Sequence, residues 1–206
     1  MPLLTYTDRV ITPEFPGEGD VPSPLDIAVS LSRMPRFGGH TRRWWSVLDH
    51  LLFCDTLVST VGIAKSVRLA VLLHDAHECV TADVPTDAKG PGLRILQKEL
   101  DVALMNRYFP GGYTAYYGHL ETVKRIDMLA LKAEAAVVGP PVSDRRLVEV
   151  EPRFALDTQL EKNAAEILRS LLRGMSPTDL GVPPYTQGQE AHPAVVEYLS
   201  RIVKLM

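Results

Sequence analysis

Residues 66–80 read SVRLAVLLHDAHECV, and the rest of the chain is best understood around them. The run Leu69–Leu73 is apolar on nearly every side, which is typical of a central, buried helix. The run His74–Glu78 then adds two histidines and two acids at the end of the same segment. We predict one helix over about Ser66–Val80, which carries charged groups into the core, where unpaired charge is costly.

Helix signals occur on both sides of this segment. Ser23 and Pro24 begin a helix that runs to about Arg33, because serine caps a helix and proline tolerates its first position. Ser46, with Asp49 three residues later, begins another as a capping-box pair. Further helices are predicted at about 92–108, at about 118–138, from a cap at Asp157 to near Gly174, and from Pro193 onward. Loops are predicted at 36–45, 110–117 and 175–192.

The predicted fold is an all-α helical bundle with a short N-terminal β-hairpin. The two strands of the hairpin are Leu4–Thr7 and Arg9–Thr12, with Asp8 at the turn. A length of 206 residues fits one domain with a sizeable core, and no linker divides it. We therefore expect a single domain over 1–206, with the core and its candidate metal ligands at about 23–138 and C-terminal helices at about 155–206.

Charge and cysteine content limit the classes of function. The chain has 22 Lys and Arg against 25 Asp and Glu, a formal net charge of −3, which disfavours a nucleic-acid or membrane-surface binder. No leader pattern and no apolar run of bilayer length is present. Cys54 and Cys79 lack metal-binding or disulfide spacing and read as buried thiols of a reducing compartment. We expect a cytoplasmic protein.

Four residues are predicted to form one divalent-metal site. A lone His74-Asp75 pair is weak evidence, because helical neighbours project about 100° apart and such a pair often has a structural role. In this chain the His74-Asp75 pair lies on the most apolar predicted helix, and His50 and Asp127 also lie in apolar helical stretches. Two imidazoles and two carboxylates suit Zn, Mn, Co or Fe, and suit Ca less well.

The ordered set His50, His74-Asp75 and Asp127 resembles the HD-domain phosphohydrolase superfamily. Glu78 and Asp83 follow at the offsets seen in its bacterial 5′-deoxynucleotidases. The segments Leu3–Arg9, Leu31–Thr41, Ser46–His50 and Leu72–Pro85 are similar to a phage and bacterial subgroup that includes phage dATP triphosphohydrolases. The likeness covers about residues 3–135, and the C-terminal third matches only as helices.

The resemblance implies an enzyme that hydrolyses deoxynucleoside triphosphates at the α-phosphorus, with dATP favoured, releasing deoxynucleoside and triphosphate. A 5′-nucleotidase acting on deoxynucleoside monophosphates is the alternative. A catalytically silent HD module is a third possibility, although such modules usually lack metal ligands. The spacing of the histidines and acids argues against HExxH and HxxEH zinc peptidases. The partner would be a nucleotide, accompanied by Mg²⁺ on its phosphates, and related enzymes form dimers or hexamers.

The resemblance also suggests catalytic roles. Glu78 is the candidate for proton transfer, and the alternative is that it only orients His74. Asp83 matches the second acid of the family, which orients the attacking water or contacts the sugar, and the alternative is a turn acid. His40 is either a proton donor to the leaving oxygen or a structural histidine of its loop.

Substrate contacts are predicted in the loop before His50 and after Glu78. Arg36 matches a family arginine that packs against the nucleotide, and a guanidinium can stack on a base or pair with phosphate. Gly38 and Gly39 would let the backbone approach the ligand. A basic patch for the phosphates would comprise Arg42, Arg43 and Lys89.

His77 is expected to be structural, because two residues along a helix it would point away from Asp75.

Overall fold

The N-terminal hairpin and the helices predicted from the sequence are present in a computed structural model, which describes residues 3–12, 21–141, 154–173 and 193–206. The all-α fold class is confirmed. The helices are α1 (Pro24–Ser32), α2 (Val47–Ser59), α3 (Lys65–Leu73), α4 (Glu78–Thr81), α5 (Pro91–Tyr108), α6 (Gly112–Tyr117), α7 (Leu120–Val137), α8 (Gln159–Arg173) and α9 (Pro193–Leu205). Short 3₁₀ turns occur at Arg36–Gly39 and Thr86–Ala88.

The hairpin is shorter than predicted. Strands β1 (Leu3–Leu4) and β2 (Val10–Ile11) pair antiparallel, with Leu3 opposite Ile11. The turn between them contains Asp8 with a left-handed φ of 61°. Thr7 donates from its backbone N–H and its hydroxyl to the Asp26 carboxylate, at 2.8 Å each. These bonds attach the hairpin to the first turn of α1.

Capping boxes begin α1 and α2, at the cap predicted for Ser23 and at the capping box predicted for Ser46. Ser23 accepts from the backbone N–H of Asp26, and Ser46 accepts from that of Asp49, at 3.1 Å in both cases. At α8 the prediction is wrong by one residue. Thr158, rather than Asp157, forms the reciprocal pair there, with the Glu161 N–H bonding to its hydroxyl at 3.2 Å and its own N–H to the Glu161 carboxylate at 2.7 Å.

The central helix ends earlier than predicted. Helix α3 stops at Leu73, and α4 begins only at Glu78. In between, backbone N–H groups bond to carbonyls three residues back, from Ala76 to Leu73 and from Glu78 to Asp75. His74 and Asp75 therefore lie in a tight turn after the helix, not within it.

The loop predicted at 110–117 contains helix α6. Gly111 and Gly112 adopt left-handed φ values of 82° and 67°, which reverse the chain after α5. Asn106 then accepts from the Tyr113 N–H at 2.9 Å and satisfies one free donor at the start of α6. The loop predicted at 175–192 lies outside the described residues.

The core lies between α2, α3, α7 and α9, with α1 against α2 and α9 and with α8 along α7. Leu48, Leu51, Leu69 and Leu72 are fully or almost fully buried there. Tyr198 of α9 donates its hydroxyl to the Leu72 carbonyl at 3.1 Å, close to the end of α3. Among the helices in the described ranges, none combines the length and apolar character needed to cross a membrane.

Candidate metal centre

The four predicted metal ligands lie together, although they come from α2, the turn after α3, and α7. His50 Nε2 is 3.2 Å from Asp127 Oδ1 and 3.8 Å from Asp75 Oδ2. His74 Nε2 is 3.3 Å from Asp75 Oδ2 and 3.9 Å from Asp127 Oδ1. The two imidazole rings meet edge to face at 5.4 Å between centroids. Two nitrogens and two carboxylates thus surround one point.

Burial and charge fit a cation at that point. Burial lowers the pKa of His74, but the charge of Asp75 outweighs it and leaves that pKa above its usual value. Burial raises the pKa of Asp75, but the charge of His74 outweighs it and holds that pKa well below its usual range. Protons on the imidazoles thus balance the carboxylates, and a divalent cation can replace them. The Asp127 side chain is 37 % exposed, so one side of the group faces solvent.

The other nitrogen of each imidazole has its own partner. His74 Nδ1 donates to the Val71 carbonyl at 2.7 Å, and His50 Nδ1 lies 2.8 Å from Glu134 Oε1. A carbonyl or an ionised carboxylate can only accept, so each Nδ1 carries a hydrogen, and each Nε2 would offer a lone pair to a cation that replaced its proton. Such outer partners orient histidines at metal sites.

Glu134 belongs to this centre and was not identified from the sequence. It is fully buried on α7, and its Oε2 accepts from Arg36 NH2 at 3.4 Å. Burial raises its pKa, but the charges of His50 and Arg36 outweigh this and lower it. The available signal was its spacing: Glu134 follows Asp127 by seven residues, about two turns, on the same face of an apolar helix.

Arg36 lies between acids of the centre. Its guanidinium contacts Glu134 and is 3.9 Å from Asp75 Oδ2, and the residue is largely buried. The guanidinium also lies over the Phe37 ring, with its Cζ 5.9 Å from the ring centroid. Both carboxylate contacts hold it in place, whereas its predicted contact with a nucleotide stays a prediction.

Glu78 and Lys89 lie beside the four ligands. Glu78 is almost completely buried, and its Oε1 is 3.9 Å from Lys89 Nζ. Burial, with the charges of Asp75 and Asp83, raises the pKa of Glu78 to about 9. The neighbouring acids therefore favour either a proton or a cation at this carboxyl.

A sharp turn at Ala82 holds Asp83 near Glu78 and the candidate metal ligands. Ala82 ends α4 with φ 65° and ψ 163°, a conformation that a residue with a Cβ rarely adopts and that costs about 1–3 kcal/mol. The Asp83 N–H then donates to the Met34 sulfur at 3.1 Å. Burial raises the pKa of Asp83, and Asp75 adds to this while Arg36 opposes it.

The loop before α2 divides into two parts. Phe37, Gly38 and Gly39 all have left-handed φ values, and His40 after them is exposed. Arg42 lies elsewhere, where its N–H donates to the Val138 carbonyl at 3.0 Å and its guanidinium to that of Ala136 at 3.2 Å.

The structure does not bring Arg42 and Arg43 to the metal ligands. Ala136, which binds Arg42, is nine residues from Asp127, or about 13 Å along α7. Arg43 lines a groove with Arg169 and Arg173 of α8. Of the predicted basic patch, only Lys89 lies beside the acids.

His77 differs from its prediction. Asp75, His77 and Glu78 each offer one ligand atom, and these atoms lie within 4.8 Å of one another. The expectation that His77 points away from Asp75 is wrong, because it assumed a continuous helix where the chain turns. His77 Nδ1 lies 2.8 Å from Asp101 Oδ1 on α5.

Comparison with known proteins gives a local relation. No family model matches the chain. A stretch of 85 residues is 33 % identical to the "Uncharacterized protein YfdR" of Escherichia coli (strain K12). The stretch is 40 % of this chain and 45 % of that protein, so the chain matches less than half of its relative's length. The relative's name states no activity.

Proposed function

We propose that this chain is a metal-dependent phosphohydrolase of the HD-domain type that acts on deoxynucleotides. One observation carries the proposal: the Nε2 atoms of His50 and His74 face the carboxylates of Asp75 and Asp127. Each opposite Nδ1 has its own partner. A histidine that served only the core would not need both of its nitrogens arranged in this way.

The four residues would hold Zn, Mn, Co or Fe, because the donor set mixes imidazole and carboxylate. A bound divalent ion would lower the pKa of a water molecule towards neutrality and polarise a phosphoryl oxygen. Glu78 is suited to transfer a proton to the leaving oxygen, and Asp83 to orient the attacking water. Arg36 and Lys89 place positive charge beside these acids.

The favoured substrate is a deoxynucleoside triphosphate, dATP above the others, cleaved at the α-phosphorus to deoxynucleoside and triphosphate. Mg²⁺ would accompany its phosphates. The preference for dATP rests on the similarity of sequence segments to phage dATP triphosphohydrolases.

A 5′-nucleotidase acting on deoxynucleoside monophosphates is the second candidate, and one observation favours it. Arg42 and Arg43 lie at the far end of α7, and Arg36 already contacts two carboxylates. A site with fewer available cations suits one phosphate group better than three.

A product-resolved screen tests both candidates. The purified chain is incubated with each dNTP, dNMP and NTP in the presence of Mn²⁺, Co²⁺, Zn²⁺ or Mg²⁺, and products are separated by ion-exchange chromatography. Release of triphosphate supports the first candidate, and release of inorganic phosphate from dNMPs supports the second. A metal-loaded protein that hydrolyses none of them would instead be a silent HD module. Mass photometry of the same sample tests the expected dimer or hexamer.

A further inference from the structure

We infer that Asp75, His77 and Glu78 form a second divalent-cation site next to the first, with Asp75 shared by both. This inference extends the proposed function, because it takes the first site as given. It concerns metal binding alone, so it can be tested without any substrate.

Two buried atoms without partners point to this site. His77 and Glu78 are 7 % and 3 % exposed, so both are more than nine-tenths buried. Yet His77 Nε2 and Glu78 Oε2 have no hydrogen-bond partner within the part of the chain that the structure describes. Buried polar atoms are nearly always satisfied, and leaving one unsatisfied costs about 1–3 kcal/mol. A cation would satisfy both atoms at once.

His77 has the same arrangement of outer partners as the first-site histidines. Its Nδ1 lies 2.8 Å from the Asp101 carboxylate, as the Nδ1 of His50 lies 2.8 Å from Glu134. A carboxylate acceptor places the hydrogen on Nδ1 and leaves the lone pair on Nε2. The imidazole is thereby set to bind a cation through Nε2.

Asp75 can serve both sites because a carboxylate has two oxygens. It lies with His50 and His74 in one group of ligand atoms and with His77 and Glu78 in another. Paired metal ions in phosphatases and nucleases are about 3.5–4 Å apart, a separation that a bridging carboxylate spans. Glu78 would bind as an ionised carboxylate through Oε2, while its Oε1 lies 3.9 Å from Lys89 Nζ.

One imidazole and two carboxylates indicate the kind of cation. The set suits Mn²⁺, Co²⁺ or Zn²⁺ better than Mg²⁺, which prefers oxygen ligands and retains several waters. Mn²⁺ is the best probe, because two Mn²⁺ ions on a common bridge give an exchange-coupled electron paramagnetic resonance spectrum, whereas one ion gives a six-line spectrum.

The experiment titrates Mn²⁺ into the chelator-treated full chain without nucleotide, and measures bound metal by equilibrium dialysis and the spectrum of the loaded protein. We expect two Mn²⁺ per chain with a coupled spectrum. His77→Gln and Glu78→Gln should each bind one Mn²⁺ and give the uncoupled spectrum. Asp101→Asn should keep both sites and weaken the second about 10–100-fold. His119→Gln is the matched control, because His119 packs against Phe109, and it should bind two.

The outcomes separate the second site from the first and from the proposed reaction. One Mn²⁺ per wild-type chain at saturation, lost in His50→Ala, would overturn the second site and leave the first. Two Mn²⁺ retained in both His77→Gln and Glu78→Gln would also overturn it. No bound Mn²⁺ in the wild type would overturn both sites. Two bound ions with the expected losses, in a protein that hydrolyses no nucleotide, would support the second site and contradict the proposed function.

Discussion

Helix α2 contributes to two clusters of buried charge that differ in how completely they are satisfied. Asp55 is fully buried, and its two oxygens accept from Arg68 Nε at 2.7 Å, Arg68 NH2 at 2.8 Å and Arg201 NH1 at 2.9 Å. His50, five residues earlier, belongs to the candidate metal centre. There, His74 Nε2, His77 Nε2 and Glu78 Oε2 are buried and have no hydrogen-bond partner among the described residues.

The difference distinguishes an ion pair that holds helices together from a group of side chains arranged to bind a ligand. The Asp55 cluster joins α2, α3 and α9 and is satisfied within the chain. The candidate metal centre also joins several elements, but the residues with unpaired atoms belong to groups whose ligand atoms lie within 4.8 Å of one another. Buried polar atoms in folded proteins nearly always have a partner, and bound cations would supply partners for these atoms.

The largest expected effect is on catalysis, from loss of a metal ligand. Asp75→Ala or Asp127→Ala should lower the rate of nucleotide hydrolysis by at least about 10³-fold, or about 4 kcal/mol of transition-state stabilisation. Bound metal should fall with it, as measured by plasma mass spectrometry. Retained activity with full metal content would contradict the site. A silent Asp127→Ala alone would mean that another acid completes the first site.

The second effect is on stability, from the satisfied cluster. Asp55→Ala should lower the free energy of unfolding by about 3 kcal/mol, because two arginines lose their acceptor in a mostly buried position. Urea denaturation measures this. Metal content of the folded fraction should not change. A variant that keeps its stability but loses metal would show that the two clusters are not independent.

The third effect is on metal affinity. Glu134→Gln keeps the size of the side chain but removes the charge that faces His50 Nδ1 and Arg36. We expect metal affinity to fall about 10–100-fold, as for other outer partners of metal-binding histidines. Competition with a fluorescent chelator measures it. Glu161→Gln, which removes an acid that pairs with Lys132 at 2.6 Å, is the control and should bind metal normally.

The smallest effect should be shared by both clusters. Ser46→Ala removes the cap of α2, the helix that carries His50 and Asp55, and should lower the free energy of unfolding by about 1 kcal/mol. Metal affinity should remain within about twofold, because the cap lies one turn before the ligand and its loss is compensated by packing. A large loss of metal would show that the cap positions His50 directly.

The sequence was most informative where local rules apply. The cap at Ser23, the capping box at Ser46, the apolar run Leu69–Leu73 and the Pro193 helix start all follow from short-range chemistry, and the structure has each of them. The grouping of Asp127 with His74-Asp75 rested instead on the shared apolar helical setting of these residues and on the resemblance to a family. Helical periodicity could place Asp127 on an apolar face but could not say which helix that face meets.

The remaining features depend on contacts between distant segments. Glu134 gains its place from His50 and Arg36, which lie far away in the sequence, and the local sign of that place is its spacing of seven residues from Asp127. The end of α3 at Leu73 depends on a turn whose bonds compete with helix continuation. That turn is why His77 was wrongly expected to face away from Asp75. Arg42 was predicted to contact a substrate phosphate. Its observed partner, the Ala136 carbonyl at the end of α7, is 94 residues away in the sequence and could not be inferred from the neighbours of Arg42.

The bond between Tyr198 and the Leu72 carbonyl has a consequence for biosynthesis. All four candidate ligands of the first site are translated well before α9, but the end of α3 that presents His74 gains its bond to Tyr198 only once α9 has been made. A nascent chain therefore has a complete set of ligands before it has a complete scaffold. We expect metal loading to follow translation of the last helix, so that the ion enters a finished site.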